Sequence, residues 1–258
     1  MYPALPLGPI TLPTGAFLAF VAVYLGLEVA GRYGRRLGLR LDDVWNTGLI
    51  AVATGLIVAR LWNVIQFSYV YSAEPGLLLS VRPSGFSLLP GIIGALAGAY
   101  VYLWRRRLSP SAMAAAFAAG GLLFLAVLGI SDFLTGAVIG LPSDRPWARP
   151  FFGVAVHPVG LYRAAGFVLA LAVLWVAGDR SHPNRVTALA LLLGGLVHLV
   201  ADGFTAEAQL WGDFRVSQLL ALGAIAVGGY WLARSVAPAG EATPAAPLAP
   251  PAESRSQS

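Results

Sequence analysis

The chain contains no cysteine. It can form no disulfide, hold no thiolate-bound metal and offer no cysteine nucleophile. Lysine is missing as well, since all 17 basic residues are arginine, so any mechanism needing a lysine amine is excluded. Charge of either sign is scarce: 11% of residues are charged, against about 25% in a typical soluble domain. With 57% of 258 residues apolar, a soluble core of this size cannot hide the apolar surface, and lipid must cover part of it. The net charge of +5 is then read as arginine in loops that fix membrane topology, not as a nucleic-acid surface, and no nucleic-acid partner is expected.

What is present is a series of long apolar runs. Spans are predicted at about 12–31, 45–66, 88–104, 112–130, 160–177, 186–204 and 214–234. Each is near the ~20 residues a helix needs to cross a hydrocarbon core of about 30 Å, the third being somewhat short. Their apolar character runs all round, which favours helices in lipid over amphipathic surface helices. A helix also satisfies its own backbone hydrogen bonds, which lipid cannot do. The fold class expected is an all-α, polytopic membrane protein with seven transmembrane helices.

The connecting segments alternate in charge. One set holds Arg32, Arg35, Arg36, Arg40, Arg105, Arg106, Arg107, Arg180, Arg185, Arg234 and Arg255. The other set holds only Arg82, Arg145, Arg149 and Arg215, with Glu74, Asp132, Asp144, Asp202, Glu207 and Asp213. The positive-inside rule predicts the N-terminus outside and the C-terminus in the cytoplasm. The first span has no charged segment before it and a basic cluster after it, which suits an uncleaved helix better than a signal peptide. Residues 1–235 are expected to form the membrane domain, and the Pro-, Ala- and Ser-rich 236–258 a disordered cytoplasmic tail.

Ionisable groups at membrane depth are costly, and function is the default hypothesis for them. Arg60, Asp132, His157, Tyr162, Arg163, His198, Asp202, Arg215 and Gln218 all fall toward the outer ends of their spans. Their shared depth predicts a cavity reached from the outer leaflet. The competing reading is that polar residues simply collect at helix ends. Arg60 then caps carbonyls or snorkels, His198 and Asp202 form a structural pair on one helix face, and His157 before Pro158 braces a loop. As a functional group, a neutral histidine held by a carboxylate is a candidate general base. Nothing in the spacing of the histidines and aspartates demands a metal, and no cofactor is expected. Gly91, Gly94 and Gly98 read as a close helix contact, or as room for a lipid headgroup.

The order of motifs resembles prolipoprotein diacylglyceryl transferase over roughly residues 5–235. Gly8-Pro9-Ile10 and Gly15 are similar to that family's opening, and Val58-Ala59-Arg60-Leu61 to its second helix. Ser84 to Gly91 stands where the family has "GGMSFHGG", and Gly129 to Gly136 where it has "RIGNFING". A later Gly140, then Pro146-Trp147-Ala148, parallel a later glycine and "PWA". Val156 to Ala164 parallels "RHPSQLYEA", and Ser217-Gln218-Leu219-Leu220 parallels "GQLLS". The resemblance implies transfer of the diacylglyceryl group of phosphatidylglycerol to the lipobox cysteine of a prolipoprotein, at the outer face of the bacterial inner membrane. The partners implied are that phospholipid, the lipobox peptide and the bilayer. The implied catalytic candidates are His157, His198 and Asp132. The implied lipid-binding candidates are Arg60, Tyr162, Arg163, Arg215, Gln218, Gly91 and Gly140.

The sequence departs from the pattern where chemistry is expected. The family's histidine stands at Leu89, its "RIGNF" arginine at Gly129 and the asparagine at Asp132. Its "RHP" arginine stands at Val156, its "SQLYE" glutamate at Arg163, and the later "EFFR" arginine near Thr205. The early tyrosine is Thr14 or Gly15. Uncharged residues at arginine positions cannot supply charge-assisted bonds to a phosphate. A non-catalytic paralogue that binds a lipid or membrane partner is therefore the alternative. A transporter is disfavoured, because the inner halves of the spans are nearly bare and paired helix breaks are lacking.

Overall fold

The computed structural model describes residues 4–7, 10–79, 85–207 and 209–236. Gly8, Pro9, Arg82, Ser84 and the predicted tail lie outside the described residues, apart from Val236, which ends the last helix. Among the described residues, seven helices are long and apolar enough to cross a membrane. They are α1 (Thr14–Arg36), α2 (Leu41–Gln66), α4 (Leu88–Arg106), α5 (Pro110–Thr135), α6 (Val159–Ala177), α7 (Pro183–Asp202) and α8 (Val216–Val236). A short α3 (Ser68–Ala73) and a 3-10 turn, Pro75–Leu79, lie between α2 and α4. All seven predicted spans are present. Several helices run longer than the apolar runs because their polar ends stay helical beyond the hydrocarbon, as Arg32 to Arg36 do in α1.

The described residues also form three antiparallel two-stranded hairpins: Ala4–Leu7 with Ile10–Pro13, Arg149–Phe151 with Val154–Val156, and Leu210–Trp211 with Phe214–Arg215. Each sits before a spanning helix, and each is at the same end of the bundle. Short links at 37–40, 107–109 and 178–182 join the helices at the other, arginine-rich end. In the first, the Gly34 carbonyl accepts from the amides of Leu37 and Leu39. In the last, Arg185 reaches the Ser235 carbonyl and ties the start of α7 to the end of α8.

Helix α5 is the hub, packing on α1, α6 and α7, while α7 also packs on α6 and α8. The core is built from small residues such as Ala115, Ala119 and Ala126, closed by Tyr33, Phe167 and Leu174. Large apolar side chains face outward instead: Phe20 is 72% exposed, Leu88 80% and Val176 88%. In water such a surface would be an aggregation liability; in lipid it is the solvated face. Helix α4 packs chiefly on α2. Gly91 faces that contact, where a Cβ would meet Ala59 Cβ at 3.0 Å and the Gly55 carbonyl at 3.3 Å. Gly91 thus serves helix packing, the first of the two readings offered for it.

Candidate functional site

Helices that alternate in direction bring the C-terminal ends of α2, α5 and α7 and the N-terminal ends of α6 and α8 to one end of the bundle. The polar residues singled out from sequence do gather there, but not around one hollow. They divide into three environments.

The first is an ion cluster between α5, α6 and α7. Arg163 donates from Nε to Asp202 Oδ1 at 2.9 Å and from Nη1 to Asp132 Oδ2 at 3.1 Å, and its Nη2 lies 2.7 Å from Asp202 Oδ1. His198 Nδ1 stands 3.6 Å from the other Asp202 oxygen. The Asp202 side chain is 2% exposed and that of Arg163 16%. With His198 neutral, two carboxylates and one guanidinium leave the cluster with one negative charge. Arg215 does not join them directly. Its Nη1 donates to the backbone carbonyls of Asp202 and Thr205, each at 3.0 Å, and so caps the C-terminus of α7.

The second environment is a cavity of about 760 Å³ between α6 and α7. Gly166, Leu196, Val197 and Val200 form its apolar wall, and Arg145, Trp147, His157 and Tyr162 its polar end. The Tyr162 hydroxyl accepts from Trp147 Nε1 at 2.7 Å and lies 2.9 Å from His157 Nδ1. The His157 and Tyr162 rings both pack on Phe204. Arg145 is exposed, and its guanidinium makes no hydrogen bond or ion pair among the described residues. Gly140 supports this end from behind: a Cβ there would collide with the His157 carbonyl, so only glycine lets the two strands meet.

The third environment belongs to Arg60 alone. Its guanidinium donates to the carbonyls of Gly85 at 2.8 Å, Leu77 at 2.5 Å and Leu78 at 3.2 Å. The rings of Tyr71 and Phe86 flank it, each 5.4 Å from its central carbon. Arg60 lines neither the α6–α7 cavity nor the groove beside His198. The expectation of one site holding Arg60, His157 and His198 is thus corrected. Arg60 ties the connection between α2 and α4 at Leu77, Leu78 and Gly85, because backbone carbonyls there need donors that lipid cannot give. Gln218 sits in the first turn of α8 near Gly203 and lines neither of the two hollows.

The positions that depart from the expected motif also have physical explanations. Leu89 is 69% exposed and points away from the bundle. Gly129 meets Gly160 where α5 crosses α6: a Cβ at 129 would lie 2.7 Å from the Gly160 carbonyl and 2.8 Å from the Ala164 amide. No arginine fits at 129 without prising those helices apart. The cation of this region comes instead from Arg163, one helix over, and its carboxylate partner from Asp132. Sequence reasoning passed over Arg145 and Trp147 as site residues. Only the "PWA" parallel marked that stretch, because an arginine in a polar loop carries no burial cost that would single it out.

Comparison with known proteins agrees with this fold. The family model described as prolipoprotein diacylglyceryl transferase matches residues 3–234. Among similar proteins is the phosphatidylglycerol–prolipoprotein diacylglyceryl transferase of Clostridioides difficile, 27% identical over 200 residues, 77% of this chain and 80% of that protein. The protein of the same name from Finegoldia magna is 27% identical over 213 residues, 82% of this chain and 86% of its own. That of Bacillus mycoides is 27% identical over 240 residues, covering 87% and 88%. With the match running through all seven spanning helices, the chain belongs to the prolipoprotein diacylglyceryl transferase family.

Proposed function

We propose that this protein takes phosphatidylglycerol from the bilayer into the α6–α7 cavity and transfers its diacylglyceryl group to a prolipoprotein thiol. The observation that carries the reading is the shape and charge of that cavity. Its wall is apolar enough for acyl chains, and its polar end offers an unengaged guanidinium to a phosphate. Arginine suits phosphate because its donors are planar and paired. The lipid kind and the acceptor are carried over from the names of the relatives.

In the transfer, the thiol sulfur bonds to the glycerol carbon, that carbon's bond to the phosphate oxygen breaks, and the phosphate headgroup leaves with the electron pair. The thiol proton goes to a base. When His157 carries its own proton on Nδ1 and donates it to Tyr162, the tyrosine oxygen accepts from both His157 and Trp147. Its hydroxyl hydrogen is then left for a phosphate oxygen, and His157 Nε2 is left as the base. The polar end faces the outside of the bacterial inner membrane in this reading, since the arginine-rich turns occupy the opposite end.

A second reading has a specific observation in its favour. Arg163 is engaged by Asp132 and Asp202, and Gly129 closes the α5–α6 crossing, so among the described residues neither position supplies a free cation there. On that reading the protein binds lipid without transferring it. Complementation decides: wild type restores growth to a cell depleted of its own transferase under the first reading. Failure to restore it, with the protein verified in the membrane and still retaining phosphatidylglycerol, leaves the second.

A further inference from the structure

A separate groove of about 510 Å³ runs along a different face of α7, walled by α5 and α8. Thr187, Ala190, Leu191, Gly194, His198 and Asp202 recur at helical spacing along its length. From Thr187 to Asp202 the helix rises about 22 Å at 1.5 Å per residue. That exceeds the ~15 Å depth of one leaflet of a 30 Å hydrocarbon core, so a full acyl chain fits. At its polar end the groove shares Arg163, Ser217 and Leu220 with a wetter hollow of about 590 Å³ that is also lined by Thr205, Glu207 and Gln209.

The charge of this end has the opposite sign to that of the α6–α7 cavity. Asp202 and Glu207 line it against the guanidinium of Arg163, a net charge of −1 with His198 neutral; Asp132 and Arg215, which stand outside the lining, cancel each other. Neither cation is free: the two carboxylates hold Arg163, and Arg215 is spent on carbonyls. The exposed acid Glu207 has no such partner among the described residues. An anionic head would meet repulsion, and a cationic head would find a counter-charge above a chain-length apolar trough.

We propose that this groove binds a second class of amphiphile, a membrane lipid with an ammonium headgroup, its head toward Glu207 and its chain along α7. It is a site distinct from the one assigned to phosphatidylglycerol, and it does not depend on transfer taking place.

The test is lipid counting. The full chain is stripped of lipid in a non-ionic detergent and titrated with phosphatidylethanolamine or phosphatidylglycerol, and bound lipid is counted by native mass spectrometry. Gly121→Leu fills the groove from α5, where a Cβ meets nothing within 4 Å. Glu207→Gln removes the exposed acid without touching the core. Each variant is expected to weaken phosphatidylethanolamine binding about fivefold or more, while leaving phosphatidylglycerol binding unchanged. Arg145→Ala is expected to do the reverse. The proposal is overturned if both variants hold phosphatidylethanolamine as tightly as wild type, or if phosphatidylglycerol binding falls equally in Glu207→Gln. Glu207→Gln keeps the test valid should Gly121→Leu fail to fold.

Discussion

Arg163→Leu removes the one cation that stands between two carboxylates inside the bundle. Asp202, at 2% side-chain exposure, then has no ion partner except His198 at 3.6 Å, while Asp132, at 29%, is partly relieved by solvent. Removing one partner of a buried pair costs about 3–5 kcal/mol, because it leaves an uncompensated charge. For a chain of this size each kcal/mol moves the melting temperature by about 2–4 °C, so a fall of about 6–20 °C is expected. Thermal unfolding in detergent, followed by tryptophan fluorescence, measures it. The triple variant Arg163→Leu, Asp132→Asn, Asp202→Asn should recover most of the loss, since no unpaired charge then remains. As a control, Arg32→Ala breaks an exposed pair with Glu28, 59% and 31% exposed, which is worth about 0.3–0.5 kcal/mol. A fall of less than about 2 °C for Arg163→Leu, or a triple variant as unstable as the single one, would refute the buried-charge reasoning.

Gly129→Ala should separate α5 from α6 and cost about 1–3 kcal/mol, because backbone lies against the new methyl on both sides; an unchanged melting temperature would contradict it. Arg60→Ala frees the carbonyls of Leu77, Leu78 and Gly85, so hydrogen exchange or proteolysis in 67–87 should rise while phosphatidylglycerol retention stays at the wild-type level. A selective loss of that lipid would return Arg60 to the binding site. At the arginine-rich end, the His182 hydrogen bond holds the exposed Asp179 carboxyl below its ordinary pKa, with Arg185 adding to the effect. A lowered folded value stabilises above the unfolded pKa of about 3.9 and is lost as pH falls through the folded one. Wild type and Asp179→Asn should therefore differ slightly near neutrality and converge in acid; a gap that widens in acid would show the wrong sign.

The seven helices were legible because hydrocarbon allows few alternatives to an apolar run of that length. Their polar ends were less so, since Arg32 to Arg36 extend α1 by helix continuity and not by hydropathy. The depth of the polar residues was also readable, but their grouping was not. Arg163 meets Asp132 and Asp202 across 31 and 39 residues, and no local pattern encodes such a pairing. Arg60 misled because its partners are backbone carbonyls, which leave no trace in sequence. Of the two readings left open for the glycine stripe on α4, close packing matches the geometry, since Gly91, Gly94 and Gly98 all face α2. The cavity between α6 and α7 depends on where the 137–158 segment folds back over the helix ends, which composition alone does not determine.

The most direct test mixes purified protein, phosphatidylglycerol vesicles and a lipobox peptide with one thiol, and follows the peptide by mass spectrometry. A gain equal to one diacylglyceryl group, sharply reduced in Arg145→Ala and in His157→Gln, is the result expected. Full transfer by both variants, or none by wild type that still holds the lipid, would contradict the assignment of this cavity as the site of transfer.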